Sequence, residues 1–237
     1  MRNKDIRKQR TMRYFIEAAE KILEQQDKTG IDNVTVRDIA KLAGYNSATL
    51  YSYFRDRDQL VCYLAVRYLQ NYVVDAQADL TDNMTMMEMY MVLWHHFVAK
   101  AYRKPKLCSY LYFLPDNIKY FAEYYWVFPE DLERVPKRLR DHLVERDYTF
   151  RNSMYLEKCA EEGYFRKEDI CEIAQFVNIV YEGILRTLAR DHEKITDEDA
   201  DTFVAQFDRY FRHILSAYVR KGYSIPQIVF KNNKIHS

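Results

Sequence analysis

Chain breakers are scarce. The 237 residues include five glycines and five prolines, too few for the many turns of a β-sandwich or barrel, so long helices are expected. Cys62, Cys108, Cys159 and Cys171 are scattered with no CxxC pair, which argues against a disulfide framework or a zinc site. No run reaches about 18 consecutive apolar residues, so no membrane-spanning helix is expected. The basic N-terminus lacks the apolar core of a secretory signal, and a reducing, cytoplasmic setting follows. The chain has no Gly-rich phosphate loop, no GxSxG and no HExxH. Its carboxylates lie among lysines and arginines, as on solvated helix faces. No catalysis, cofactor or metal is therefore expected. His95 and His96 are adjacent, so on a helix they point about 100° apart and do not share one metal.

What is present points to a folded core. Hydrophobic residues make up 48% of the chain and charged residues 30%, and the length suits one large or two small domains. Twenty-one tyrosines and thirteen phenylalanines are an unusual load, concentrated in the middle of the chain. The formal net charge is only +1, but it is uneven. Arg2, Lys4, Arg7, Lys8, Arg10 and Arg13 stand against Asp5 alone. That segment is either a solvated tail or a phosphate-seeking arm.

Apolar spacing places the helices. Met12, Phe15, Ile16, Ala19, Ile22 and Leu23 form one face over 7–26, ended near Gly30. Thr35, with Asp38 three residues on, resembles a capping box. Gly44 stops that helix. Asn46 caps a short helix to about Phe54, and Asp56 caps another to about Ala78. Met84, Met87, Met91, Trp94 and Val98 form a further stripe. Pro105, Pro115, Pro129 and Pro136 divide 100–136 into short pieces. Long helices are expected over 137–161 (stopped by Gly163), 169–190 and 197–220, followed by an extended tail.

Two short helices joined by a glycine-containing turn describe a helix-turn-helix. Ala40 is small where the helices cross, and Leu50 and Phe54, four apart, share the inward face. Ser47, Ala48, Thr49, Tyr51, Ser52 and Tyr53 are left outward or at the margins. An outward face of small, hydroxyl and tyrosine residues lacks the usual Glu and Lys. It suits a surface pressed into a groove, where hydroxyls reach phosphates or base edges and the Thr49 methyl meets thymine. The same spacing also fits a helical hairpin in an ordinary bundle.

The stretch TVRDIAKLAGYNSATLYSYFRDRDQL, residues 35–60, resembles the DNA-binding motif of the TetR family of transcriptional regulators, with a match over about residues 8–65. The resemblance implies an all-α fold. An N-terminal three-helix helix-turn-helix domain (1–56) would precede a larger helical ligand-binding and dimerisation domain (57–237). It implies phosphate contacts from Thr35 and Arg57, with Arg37, Asn46 and Ser52 at the same surface. Ser47, Ala48, Thr49 and Tyr53 would face the major groove, and Tyr51 would reach the backbone or a base edge. Tyr45 stands where the family has a small aliphatic residue, Asn46 where it has serine, and Ser47 and Ala48 where lysine and glycine are common.

The last two long helices are apolar around much of their circumference, more than burial in one core requires. The resemblance implies a homodimer, with an interface expected through Phe176, Val180, Ile184, Phe207, Phe211 and Ile214; burial of these helices in the chain's own core is the alternative. Such a dimer would read a near-palindromic operator with half-sites about 34–36 Å apart. Tyrosine and tryptophan join apolar bodies to polar tips, which suits a small-molecule pocket. Trp94, Phe97, Tyr110, Phe113, Tyr124, Trp126 and Tyr155 are the candidate wall, with an aromatic-rich core as the alternative. The expected function is a ligand-responsive repressor. The alternative is a helical dimeric interaction module that no longer binds DNA.

Overall fold

Side-chain caps set the boundaries of the N-terminal helices. In the computed structural model of the protein, the described residues are 3–25, 31–113, 117, 119–133, 135, 137–144, 148–191 and 195–230. Helix α1 (Asn3–Gln25) runs through the basic segment, which is helical from Asn3 and not an extended arm. Arg2, Gly30, Pro115 and Pro136 lie outside the described residues. The Thr35 hydroxyl accepts from the Asp38 amide and opens α2 (Val36–Leu42). Gly44 then takes φ +82, a left-handed turn that glycine adopts without a Cβ clash. Asn46 accepts from the Thr49 amide at 2.8 Å and opens α3 (Ser47–Tyr51). Asp56 caps α4 (Arg57–Leu69) through the Gln59 amide at 2.8 Å. Each cap is worth about 1 kcal/mol.

Behind these caps, Phe15, Ile39, Ala40, Leu50 and Phe54 are buried together. Burial of Leu50 and Phe54 contributes about 1.5–3 kcal/mol each. Helix α3 ends at Tyr51, earlier than the apolar spacing implies, and Phe54 reaches the core from the turn that follows.

Helix α4 does not continue to Ala78. Bonds from Val73 to Gln70 and from Val74 to Asn71 tighten the chain by one residue per turn. A separate α5 (Tyr72–Ala76) then packs on α6 (Met86–Arg103), which Thr85 and Glu88 open with a reciprocal capping box. Pro105 begins α7 (Pro105–Tyr112) and Pro129 begins α9 (Pro129–Glu133), positions that waste no backbone N–H. Between them lies α8 (Lys119–Val127). The single helix expected over 137–161 is α10 (Lys137–Val144) and α11 (Tyr148–Glu161).

A short 3-10 turn precedes α12 (Ile170–Asp191), and Thr196 caps α13 (Asp197–Tyr218). Helices α11, α12 and α13 pack in series, with α6 against α13 and α7 against α12. Helix α4 joins the two parts of the molecule, touching α1 on one side and α7 and α8 on the other. No strand occurs among the described residues.

The extended tail is tied down. Tyr223 lies against Tyr164 and over Gly163, where a Cβ would overlap its hydroxyl. Arg212 donates to the Pro226 carbonyl at 2.8 Å, and Phe230 stacks on His95 with centroids 3.6 Å apart. Among the described residues no helix is long and apolar enough to cross a membrane.

Candidate nucleic-acid interface and enclosed cavity

Helices α2 and α3 present a mostly uncharged, open surface. Thr35, Arg37, Asn46, Ala48, Tyr51 and Ser52 are exposed, and Ser47 and Thr49 are half-buried. Tyr51 is 54% exposed, an unusual position for a ring with no neighbour to shield it. Asn46 also accepts from the Thr49 hydroxyl at 3.0 Å, and Ser52 donates to the Ala48 carbonyl at 3.2 Å. These local bonds hold the short helix rigid while leaving its outer edge free.

Tyr53 is half-buried, its ring 6.2 Å from Phe15. Tyr45 leans on the same ring at 5.2 Å, so the large residue after Gly44 covers the domain's core. Exposed Lys41, with Arg7, Lys8 and Arg10 on α1, adds positive charge besides the candidate contact residues.

Arg57, expected at a phosphate, and Arg13, in the basic N-terminal segment, are engaged by other parts of the chain. Arg57 donates from Nε to the Val34 carbonyl at 3.2 Å, from Nη2 to the Ile31 carbonyl and from Nη1 to the Tyr110 hydroxyl at 3.0 Å. Tyr110 in turn donates to Asp32 at 3.1 Å. Arg57 therefore joins the N-terminal helices to α7 and is half-buried. Arg13 bonds Asp131 at 3.3 Å, pairs with Glu130 and lies 4.6 Å over the Phe128 ring. Sequence spacing alone carried no sign of these partners, which come from residues far along the chain.

On the other side of α4, aromatic residues line a cavity. Helix α6 supplies Tyr90, Leu93, Trp94 and Phe97; α11 supplies Arg151, Asn152 and Tyr155; α12 supplies Asn178 and Tyr181. Tyr72, Tyr112 and Phe121 complete the wall. The volume open to the centre of a water molecule is about 60 Å³. One water needs about 10–15 Å³ on that measure, so the space has the scale of a single small ring.

Trp94 is held by edge contacts to Phe97 and Tyr181 at 5.6 and 5.7 Å and by stacking on Phe207 at 5.4 Å. Asn152 organises the polar side. Its Oδ1 accepts from the Tyr90 hydroxyl and from Trp94 Nε1 at 3.2 Å. Its Nδ2 donates to the Ala174 carbonyl at 3.1 Å and to Asn178 at 3.3 Å. Burial raises the Tyr90 and Tyr181 phenols well above their ordinary value and pushes Tyr72 up to about 12, so these phenols stay protonated.

Of the candidate wall residues, Trp94, Phe97 and Tyr155 line this cavity and four do not. Tyr110 serves the Arg57 junction. Phe113 lies under the Arg186 guanidinium at 4.2 Å. Tyr124 packs on Tyr63 at 5.7 Å and donates to Asp131. Trp126 is 67% exposed. The wall also holds Tyr90, Arg151, Asn152, Asn178 and Tyr181, which the spacing argument missed. A usable signal was there. Tyr90, Trp94 and Phe97 share one face of α6, and Asn152 and Asn178 interrupt otherwise apolar stripes.

The candidate interface residues divide in the same way. Phe207 and Phe211 are fully enclosed, stacked at 5.4 Å behind Trp94, and Ile184 is buried. They belong to the protomer's own core. Phe176 is 43% exposed, Val180 and Ile214 are half-buried, and Ile179 on the same outer side of α12 is 64% exposed.

His95 bonds Asp208 at 2.7 Å and His96 bonds Asp79 at 2.8 Å, with the two rings at 90°. Among the described residues no cluster of His, Cys, Asp or Glu has the makings of a metal site.

Residues 15–64 match the family profile described as bacterial regulatory proteins, tetR family. No curated protein sequence matches the chain. Three solved structures share the fold over most of its length. RolR, in complex with resorcinol, aligns with a TM-score of 0.56 at 16% identity, over 94% of this chain and 98% of its own. A protein from Mesorhizobium loti MAFF303099, assigned to the TetR-family transcriptional regulators, gives 0.53 at 14% identity, over 90% and 99%. One from Shewanella sp. PV-4, likewise assigned, gives 0.50 at 16% identity, over 89% and 99%. Residues 15–64 thus match the tetR family of bacterial regulatory proteins, on a chain whose described residues contain helices and no strand and which shares its fold with these solved structures.

Proposed function

We propose that the protein is a homodimeric, ligand-responsive repressor that acts in the cytoplasm on a near-palindromic operator. The observation that carries this reading is the position of α4, which packs on α1 and, through α7 and α8, on the part of the molecule that encloses the aromatic cavity. A ligand that repacks Phe97, Tyr112 or Phe121 pushes on helices touching α4. Arg57, at the first residue of α4, holds the carbonyls of Ile31 and Val34 just ahead of α2. Displacement of α4 thus moves the reading helix. A coupling of about 1–3 kcal/mol would change DNA affinity about 5–150-fold.

On this reading residues 1–56 contact DNA and residues 57–237 bind effector and the second copy. Small or hydroxyl side chains at Ser47, Ala48 and Thr49 allow close approach to a major groove, and Tyr51 reaches the backbone or a base edge. The outer side of α12, with Phe176, Ile179 and Val180, and Ile214 on α13, supplies the dimer face. RolR, with its resorcinol, offers a precedent for a one-ring aromatic ligand on this fold.

The test is selection of bound sequences from random duplex DNA, followed by salt titration of the recovered site. A near-palindrome is expected, with log affinity falling by about 0.9 per phosphate contact for each unit of log salt. Failure to enrich any site, with or without small aromatic compounds, would overturn the repressor and leave a protein-interaction module.

A further inference from the structure

We infer that the cavity takes a single-ring aromatic carboxylate, with Arg151 as its carboxylate receptor. This rests on the reading of the cavity as the effector site and names its ligand class. Arg151 is 5% exposed and lines the cavity. Its guanidinium lies 4.0 Å over the Phe121 ring. Among the described residues no carboxylate pairs with it and no oxygen accepts its hydrogen bonds. Its positive field reaches the buried hydroxyls of Tyr72 and Tyr125.

A buried cation is normally paired, because removal from water without a counter-charge is costly. Stacking over a ring leaves the five N–H donors of the fork without an oxygen acceptor among the described residues. The neutral polar groups beside it are in a different condition. Asn152 already uses its oxygen on Tyr90 and Trp94 and its amide on Ala174 and Asn178. A neutral ligand would have to break those bonds to be recognised. An anionic one meets an unused donor. The guanidinium fork matches a planar carboxylate through two parallel hydrogen bonds. The surrounding rings of Trp94, Phe97 and Tyr155 provide apolar and edge contacts for one aromatic ring, which is what the volume admits.

Benzoate and its neutral counterpart benzamide separate charge from shape. The chain has two tryptophans, so Trp126→Phe leaves Trp94 as the sole tryptophan, and its fluorescence, excited beyond the tyrosine band, reports occupancy. Benzoate is expected to bind about ten- to a hundred-fold more tightly than benzamide, the range for a charge-assisted pair. Arg151→Gln should abolish that preference, read as the ratio of the two affinities within the variant, and Arg151→Lys should retain part of it. Equal affinities in the parent protein, or a preference that survives Arg151→Gln, would overturn the inference. If the glutamine variant does not fold by circular dichroism, the benzoate-to-benzamide ratio of the parent and the lysine variant decides.

The two readings fail differently. If benzamide or resorcinol binds and shifts DNA affinity but benzoate is not preferred, the carboxylate receptor is wrong and the effector site stands. If none of the three perturbs Trp94, both are wrong. A benzoate preference in a protein that selects no DNA would keep the receptor and remove the repressor.

Discussion

The two parts of the molecule use tyrosine in opposite ways. At the helix-turn-helix, Tyr45 and Tyr51 are 37% and 54% exposed, and Tyr51 meets water where a groove would be. On α4 and beyond it, Tyr63, Tyr90, Tyr102, Tyr120, Tyr124, Tyr125 and Tyr181 are fully buried. Their phenols are raised by burial and stay protonated. The same residue type is a contact tool in one region and a packing unit in the other. What distinguishes them is the number of ring neighbours, since a ring enclosed by others gains contact energy only inside the protein. Exposure of a large ring is therefore the better pointer to an external partner, and an unpaired charge among buried rings the better pointer to an internal one.

The largest effect should come from the enclosed class. Tyr63 on α4 meets Phe54 at 5.9 Å, Tyr120 at 6.0 Å, Tyr124 at 5.7 Å and Phe128 at 6.3 Å, and donates to Glu123 at 2.6 Å. Tyr63→Ala should cost about 3–5 kcal/mol, read as a loss of thermal or urea stability. Tyr63→Phe keeps the ring and should cost about 1–3 kcal/mol for the lost bond to Glu123. A near-neutral alanine variant would erase the distinction between packing and contact rings.

The next effect falls at the junction. Arg57 holds two carbonyls and the Tyr110 hydroxyl together. Arg57→Gln should lower stability by about 1.5–3 kcal/mol. It should leave the slope of log DNA affinity against log salt unchanged, because no phosphate contact is removed. A slope reduced by about 0.9 would return Arg57 to the DNA surface.

That contrast also marks what was legible in the sequence. Thr35, Asn46, Asp56, Gly44 and Gly163 announce their roles because a cap or a left-handed turn depends on a few neighbouring residues. The helix order and the outward face of α3 follow from the same short-range chemistry. Arg57, Phe207 and Phe211 have partners that spacing does not reveal because they lie far along the chain: Tyr110 for the arginine, Trp94 for the two rings. Apolar circumference on α13 looked like a second interface, although Trp94 on α6 was the group covering it. Arg151 was one basic residue in a helix of mixed charge, and only its enclosure by aromatic residues distinguishes it. Helix α4 was read as too long because the tightening at Gln70–Val74 answers to packing on α6, which local pattern does not encode.

Tyr51→Ala sharpens the exposed side. The ring has little to lose inside the protein, so stability should change by no more than about 0.5 kcal/mol. DNA affinity should fall about tenfold, a loss typical of one specific contact. Loss of stability with affinity intact would make Tyr51 a packing residue after all.

The smallest effect tests the enclosed side at a polar ring. His96 is 2% exposed, and one of its ring nitrogens, Nε2, lies 2.8 Å from Asp79. Its other nitrogen, Nδ1, is buried with no hydrogen-bond partner among the described residues. The neutral ring donates from Nε2 and leaves a bare lone pair at Nδ1. Protonation would place an unsatisfied N–H there. Burial accordingly lowers the His96 pKa, and the neighbouring His95 adds to this, although Asp79 acts in the opposite direction. The unfolded chain, with an ordinary value of about 6.5, therefore takes up its proton first as pH falls. Stability from the neutral ring is complete above about pH 6.5 and declines as pH drops from there toward the folded-state value. His96→Gln should flatten that decline in melting temperature measured from pH 8 to pH 5. A parent protein that instead gains stability relative to the variant as pH falls would show that Asp79 outweighs burial, with the pair held as imidazolium and carboxylate.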